Sequence, residues 1–412
     1  MSVSTTTPSP HLLAVSQLVF NIGFYAVVPF LALFMREDLQ LSGMLIGLVL
    51  GLRTFSQQGM FLFGGALADR FGGRVLMLLG CLVRVTGFMA LAFAHGLPLM
   101  IVGACLTGIG GAMFSPALEA LMARAGTLSE AQGGRSRARW FAWLSVCGET
   151  GAVIGPVLGA ALMGVGFQEV AFGGALVFTI ALLALYWRLP RDRTTSPTSA
   201  RQPLSLWQAL RDRPFMLFAL AYSSYLLSYN QLYLALPVEL TRIGSNEAML
   251  GPLFMIASFL IITLQLPLSR WAQRWGGPRT LMSGFGLLFM AFVVMALCSP
   301  WAVANDTWRY VPAVALVVLL TCGQMLIVPA GMEHVARLAP EGQQGAYYGA
   351  LASAGGVAVL LGNLLCGRFL DLALVPSTMA ALPWALLALF PAMSVVLLAV
   401  LLRSRDAARS QP

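Results

Sequence analysis

A helix needs roughly 20 residues to cross about 30 Å of hydrocarbon, and this chain is built almost entirely from apolar runs of that length. Twelve can be marked, at residues 12–35, 45–68, 74–94, 97–125, 137–163, 168–189, 215–241, 247–272, 279–299, 308–338, 345–372 and 380–403. Within hydrocarbon each backbone donor and acceptor must be satisfied by the protein itself, which leaves only helices and closed barrels. Barrel strands would read as segments of about 10 residues with alternating polarity, and the sequence has none. The fold class expected is therefore an all-α polytopic membrane protein with twelve transmembrane helices. Composition agrees: 10% of the 412 residues are charged, against about 25% in soluble domains.

The charges are also placed in a telling way. All 25 basic residues are Arg, and the net charge is +9. They fall in short loops between spans, the pattern of a positive-inside membrane protein rather than of a nucleic-acid binder. Threading from a cytoplasmic N-terminus puts nineteen Arg on the inner side and only Arg36, Arg242, Arg309 and Arg368 outside; Arg53 and Arg84 lie within spans. Both termini are thus expected to be cytoplasmic. The opening "MSVSTTTPSP" has no basic n-region, so the first span is expected to stay in the membrane. The six Cys are scattered singly, with no CxxC and no Cys/His cluster, so neither a disulfide framework nor a metal or cofactor site is expected.

Between the sixth and seventh runs lies "RLPRDRTTSPTSARQPLSLWQALRDRP", a polar linker in which "LSLWQALRD" reads as a short surface helix. The chain divides accordingly into residues 1–189, a cytoplasmic linker 190–214, and residues 215–412. The two six-helix halves resemble each other. "FSPALEALMAR" (Phe114 to Arg124) parallels "IVPAGMEHVAR" (Ile327 to Arg337), and "DRFGGR" (Asp69 to Arg74) parallels "QRWGGPR" (Gln273 to Arg279). A parallel repeat of two halves is a transporter architecture with its substrate site at the repeat interface.

The stretch "GALADRFGGR" (Gly65 to Arg74) resembles the cytoplasmic signature loop of the major facilitator superfamily. That resemblance implies a conformational latch of Asp69 with Arg70 and Arg74, framed by Gly65 and Gly72. The second-half copy carries Gln273 in place of the acid, implying a weaker counterpart. In span five, "GAVIGPVLGA" (Gly151 to Ala160) resembles the superfamily's antiporter signature, which implies export. Gly151, Gly155 and Gly159 recur every four residues to give a smooth helix face, and Pro156 permits a bend. One departure stands out: the Arg that drug antiporters of this family often carry in span four is Ala104 here. An Arg appears instead in span two, and "LGLRTFSQQGMFLFGGALADRFGGR" is similar to bacterial twelve-span multidrug transporters of the MdtH type.

Ionisable residues inside spans are costly and mark candidate functional sites. Arg53 and Glu149 both fall at a depth of about 12 Å, counting 1.5 Å per residue, which allows an ion pair that Gln57 could join. Glu149 would then be the proton carrier; a permanent structural salt bridge is the competing reading. Arg84, midway along span three, is a second possible partner; the resemblance implies that third spans sit at the bundle periphery, which favours a packing or hydrogen-bonding role for it. Glu119 and Glu333 are further candidates for proton coupling, although a cytoplasmic gate or a surface pair with Arg337 fits Glu333 and His334 better. Span seven places Tyr222, Tyr225, Tyr229 and Tyr233 on one helical face, and the resemblance implies that this span lines the substrate cavity. Asn230, Gln231, Gln265, Asn21, Tyr25 and Gln324 would add polar contacts.

The function expected is a secondary-active, proton-coupled exporter of amphipathic or aromatic small molecules. It would act as a monomer in the bacterial inner membrane, its partners being substrate, protons and lipid. The alternative is a dedicated exporter of an endogenous metabolite such as a siderophore or metallophore. An enzyme would need clustered His, carboxylates or a nucleophile with its base, and the sequence shows no such group.

Overall fold

The computed structural model describes residues 8–135, 137–190, 206–245, 249–301, 308–340, 344–375 and 377–409. Its first six long helices are α1 (Pro10–Glu37), α2 (Gly43–Phe71), α3 (Gly73–Ala92), α4 (Leu97–Ala131), α5 (Arg137–Met163) and α6 (Phe167–Arg188). The short helix α7 (Leu206–Arg211) occupies the linker where the sequence predicts one. The remaining six are α8 (Arg213–Arg242), α9 (Leu250–Trp275), α10 (Gly277–Cys298), α11 (Val311–Leu338), α12 (Gln344–Leu370) and α13 (Ala381–Arg409). Among the described residues there is no strand. Among the described residues, ten helices are long and apolar enough to cross a membrane by length and composition. The two long helices outside that count are α2 and α8, which carry many of the polar residues discussed below.

The internal repeat is visible in the backbone. Gly72, between α2 and α3, has φ 88° and ψ 148°, and Gly276, between α9 and α10, has φ 79° and ψ 152°. Both turns reverse the chain between consecutive long helices through a left-handed residue, a conformation for which glycine carries no steric penalty. The two "GG" dipeptides noticed in the sequence therefore do the same geometric work.

By contacts the chain forms two units. The first comprises Met1–Leu31 and Ser56–Arg201, the second Ala32–Phe55 and Gln202–Pro412. In the first, α3 lies directly against α4, with Gly80 facing the Gly110 carbonyl and Gly87 facing that of Gly103. Phe20 of α1 stacks on Phe114 of α4 at 3.9 Å between ring centres and meets Phe178 of α6 edge-on at 5.1 Å. The glycine face of α5 packs on α1: a Cβ on Gly151 would approach the Leu18 carbonyl to 2.6 Å, and one on Gly155 the Tyr25 Cβ to 2.7 Å. Gly159 has no more room, because a Cβ there would lie 2.5 Å from the Phe30 ring. Gly159→Leu should accordingly lower the melting temperature of the purified protein, overpacking of this kind costing about 1–3 kcal/mol.

In the second unit α10 packs on α11 through Gly284 and Gly323, while α8 lies along α12 and α13. Ser394 of α13 donates to the Ala221 carbonyl at 2.7 Å and shares a 2.6 Å hydrogen bond with Ser224. Asp212 caps α8 by accepting from the Phe215 amide at 3.2 Å, and its other oxygen accepts from the Tyr347 hydroxyl of α12 at 3.0 Å. The boundaries at Leu31/Ala32 and Phe55/Ser56 run through α1 and α2 themselves, so each of these helices contributes one portion to each unit.

Candidate functional site

In the second unit, five buried polar side chains form a continuous chain across α2, α8 and α12. Arg53 donates from Nη2 to Thr54 Oγ1 at 2.9 Å, and Asn230 Nδ2 donates to the same hydroxyl at 3.2 Å. Asn363 Nδ2 donates to Asn230 Oδ1 at 3.1 Å, and Gln231 Nε2 donates to Asn363 Oδ1 at 2.9 Å. Arg53 is 4% exposed and Asn363 fully buried. A polar network at this depth is stable only when its members satisfy one another, which fixes the register of the three helices. Asn230 is thereby committed to this network.

A glycine seam runs from the network to the helix ends. Gly43, Gly47 and Gly51 of α2 recur every four residues and face, in turn, Gly367, Asn363 and Leu360 of α12. A Cβ on Gly43 or Gly47 would collide with the backbone carbonyl of its partner, and one on Gly51 would come within 2.9 Å of the Leu360 Cα. Beyond Gly43 the seam is closed by charge. Asp371 accepts from Arg36 Nη1 at 2.9 Å and from the Gly43 amide at 2.9 Å and 3.2 Å. The Asp371 carboxylate thus caps the N-terminus of α2 from a different part of the chain, where a negative charge is favoured.

The tyrosine face of α8 is formed as the spacing requires. Ring centres of Tyr222 and Tyr225 lie 5.5 Å apart, those of Tyr225 and Tyr229 6.3 Å, and Tyr233 stacks on Phe254 of α9 at 5.6 Å. Tyr222, Tyr225 and Tyr233 are buried, while Tyr229 is half-buried. Gly331 of α11 lies directly under the Tyr222 ring. The buried Tyr222 hydroxyl and the Oε1 of Gln324 have no hydrogen-bond partner among the described residues, whereas Gln265 Nε2 reaches the Met325 carbonyl at 3.4 Å. Gly331→Leu should push the Tyr222 ring out of place. The melting temperature of the purified protein should fall accordingly, overpacking of this kind costing about 1–3 kcal/mol.

In the first unit, Asn21 accepts from Gln17 Nε2 at 3.0 Å and donates to the Gly148 carbonyl at 2.9 Å. That bond brings α1 against α5 immediately before Glu149, which is half-buried. Tyr25 packs its Cβ on Gly155 one turn further along. Arg53 groups with the second unit and Glu149 with the first. Glu119 is exposed on α4. Glu333 pairs with Arg337 on the exposed end of α11, with side chains 60% and 75% exposed, which is the surface pair weighed above. His334 lies against the Phe218 ring at 4.5 Å.

Gly65, Asp69 and Arg70 fall on α2, and their side chains lie outside the described set. Arg74 is described: its Nη2 donates to the Tyr186 carbonyl of α6 at 2.7 Å, and its guanidinium lies 5.7 Å from the Tyr186 ring centre. Arg84 is 1% exposed and packs among aromatic rings of α1 and α6.

The fold and these sites can now be set beside known proteins. The sequence model of the Major Facilitator Superfamily matches residues 13–363. The chain belongs to this superfamily. Among its relatives, the transporter is 31% identical to the multidrug resistance protein MdtH of Cronobacter sakazakii (strain ATCC BAA-894), covering 92% of this chain and 90% of that one. It is 34% identical to an MFS-type transporter of Mycobacterium tuberculosis (strain ATCC 25618 / H37Rv), covering 88% and 86%. Its fold is shared with the crystal structure of the nucleoside transporter NupG, at TM-score 0.76 and 14% identity over 96% and 98% of the two chains. These matches establish a multi-pass membrane transporter of this superfamily.

Two features of the transporter escaped the sequence reading. The Gly43, Gly47, Gly51 repeat carries the same four-residue signal as span five and was legible in "GMLIGLVLG". Asp371 gave no signal, because only the fold brings it to Arg36 and Gly43.

Proposed function

We propose that the transporter is a secondary-active exporter that exchanges protons for amphipathic or aromatic small molecules by alternating access. Its similarity to MdtH multidrug resistance proteins carries this reading. The packing of the α5 glycine face on α1 supports it, since a smooth, Cβ-free helix contact is the physical content of the antiporter signature. Glu149 follows the residue whose carbonyl anchors Asn21, so a change in its protonation acts at the α1–α5 contact. Two-state transport requires an element whose equilibrium the proton and the substrate both bias. The orientation proposed, with both termini and the linker cytoplasmic, rests on the Arg distribution and puts the Arg36–Asp371 pair at the outer end.

Cells expressing the transporter and loaded with an amphipathic fluorescent dye test the reading. Energised cells should extrude the dye faster than control cells, and a protonophore should abolish the difference. Extrusion that survives collapse of the proton gradient would contradict it.

A further inference from the structure

The two halves of the repeat treat the same turn differently. Between α2 and α3 the turn is packed: a Cβ on Gly73 would lie 2.8 Å from Leu121 of α4, and Arg74 donates to the Tyr186 carbonyl of α6 at 2.7 Å. Between α9 and α10 the corresponding turn is open, since a Cβ on Gly276 or Gly277 would meet no atom within 4 Å. Arg274 and Arg279 are the counterparts of Arg70 and Arg74. Their side chains are exposed and make no hydrogen bond or ion pair among the described residues. The sequence accounts for the uncompensated charge. Gln273 stands where the first half has its acid, and no Asp or Glu occurs between Glu247 and Asp306. The hairpin of α9 and α10 thus has no acid of its own to neutralise these guanidinium groups.

The same turn carries a fixed aromatic face. Trp271 and Trp275 stand one helical turn apart on α9, with ring centres 4.2 Å apart and an interplanar angle of 51°. Trp271 is 52% exposed. The Thr280 hydroxyl of α10 donates to the Ala272 and Gly276 carbonyls, each at 3.0 Å, and ties the first turn of α10 to the last turn of α9. The Trp pair and both Arg are therefore carried on one rigid corner. Among the described residues, the apolar window of α9 runs from Leu250 to Leu268 and that of α10 begins at Gly277, so the corner falls where the hydrocarbon ends. Trp is favoured at that level because its ring is apolar and its N–H is wet. A guanidinium there presents a planar fork that matches a phosphate. An Arg that serves only to set topology needs neither aromatic neighbours nor a fixed geometry, and this corner supplies both.

We propose that the α9–α10 turn is a docking site for the headgroup of an anionic phospholipid. Arg274 and Arg279 would hold the phosphate, and Trp271 and Trp275 would lie against the glycerol and the upper acyl chains. Two uncompensated cations beside an aromatic face complement a headgroup of net negative charge better than a zwitterionic one. The site is independent of substrate and of transport direction. On the orientation proposed above it faces the cytoplasmic leaflet.

The test is fluorescence quenching of the purified full chain in phosphatidylcholine bilayers doped with dibrominated phosphatidylglycerol or dibrominated phosphatidylcholine. The signal of this corner is the quenching that disappears in Trp271→Phe/Trp275→Phe. Each Arg near the surface is worth about fivefold towards an anionic lipid, so phosphatidylglycerol should be preferred here by about 5- to 30-fold. Arg274→Gln/Arg279→Gln should abolish that preference with the helical circular dichroism unchanged. Gln273→Asp, which restores the acid of the first half without touching either Arg, should lower it too, and it decides the matter should the double Arg variant fail to fold. Arg124→Gln/Arg188→Gln removes the same charge from exposed positions of the first unit and should leave the preference intact. Equal quenching by the two lipids in the unmodified protein would overturn the proposal and leave an acidic protein segment as the occupant. A preference that falls equally in Arg124→Gln/Arg188→Gln would overturn it as well, because it would then reflect the net charge of +9 rather than this corner. Dye extrusion is a separate readout, so the exporter reading stands or falls independently.

Discussion

Glu149→Gln should leave the protein folded and able to bind substrate while uncoupling transport from the proton gradient. Glutamine keeps the shape of the carboxyl group and lacks its titration, so the variant isolates the charge. Coupling free energies between two ligands are about 1–3 kcal/mol, so accumulation driven by an imposed pH gradient should fall by about 5- to 150-fold. Substrate affinity measured without a gradient should stay within about twofold, well under the tenfold that 1.4 kcal/mol represents. Glu149 is singled out by its place beside the Asn21–Gly148 bond joining α1 to α5. Glu333 is exposed and paired with Arg337, so its titration has a smaller lever on helix packing. A Glu149→Gln variant with undiminished driven transport would leave the acid as scaffolding.

The second large effect is expected at the glycine seam. Gly47 lies against the Asn363 carbonyl with no space for a side chain, and the seam ends in the Arg36–Asp371 pair that also caps α2. On the alternating-access reading proposed above, this close contact is expected to belong to one state and to part in the other. Gly47→Leu penalises the closed seam by about 1–3 kcal/mol, which displaces a two-state equilibrium by about 5- to 150-fold. Transport should slow by a comparable factor while the helical circular dichroism is retained, and Gly47→Ala should do the same more mildly. Asp371→Asn should act in the same direction, since it removes the ion pair and weakens the cap. Unchanged turnover in Gly47→Leu would show that the seam stays closed throughout the cycle or that α12 yields to the extra side chain.

The sequence disclosed the features that are periodic along the chain. Twelve long helices follow from the apolar runs, α7 from the "LSLWQALRD" stretch, and the equivalence of Gly72 and Gly276 from "DRFGGR" and "QRWGGPR". The tyrosine face of α8 was legible too, since a helical period converts directly into a face. Its surroundings were not: whether Tyr222 looks into open space or onto Gly331 depends on how α8 meets α11, and spacing within one helix carries no information about that. Asn230 shows the same limit, read as a cavity residue from its polarity and found bonded to Thr54 and Asn363. Arg84 was legible as a packing residue, but the depth its head reaches was not. A long side chain and two glycines on the neighbouring helix move that charge well inside the unit.

One measurement bears most directly on the central claim of proton-driven export. Purified protein is reconstituted in proteoliposomes, an amphipathic dye is supplied at equal concentration on both sides, and a pH gradient is imposed. Antiport predicts that dye accumulates in the more acidic compartment, that reversing the gradient reverses the flux, and that each substrate movement is matched by a proton movement in the opposite direction. Dye that moves together with protons, or a distribution that stays equal under either gradient, would contradict it.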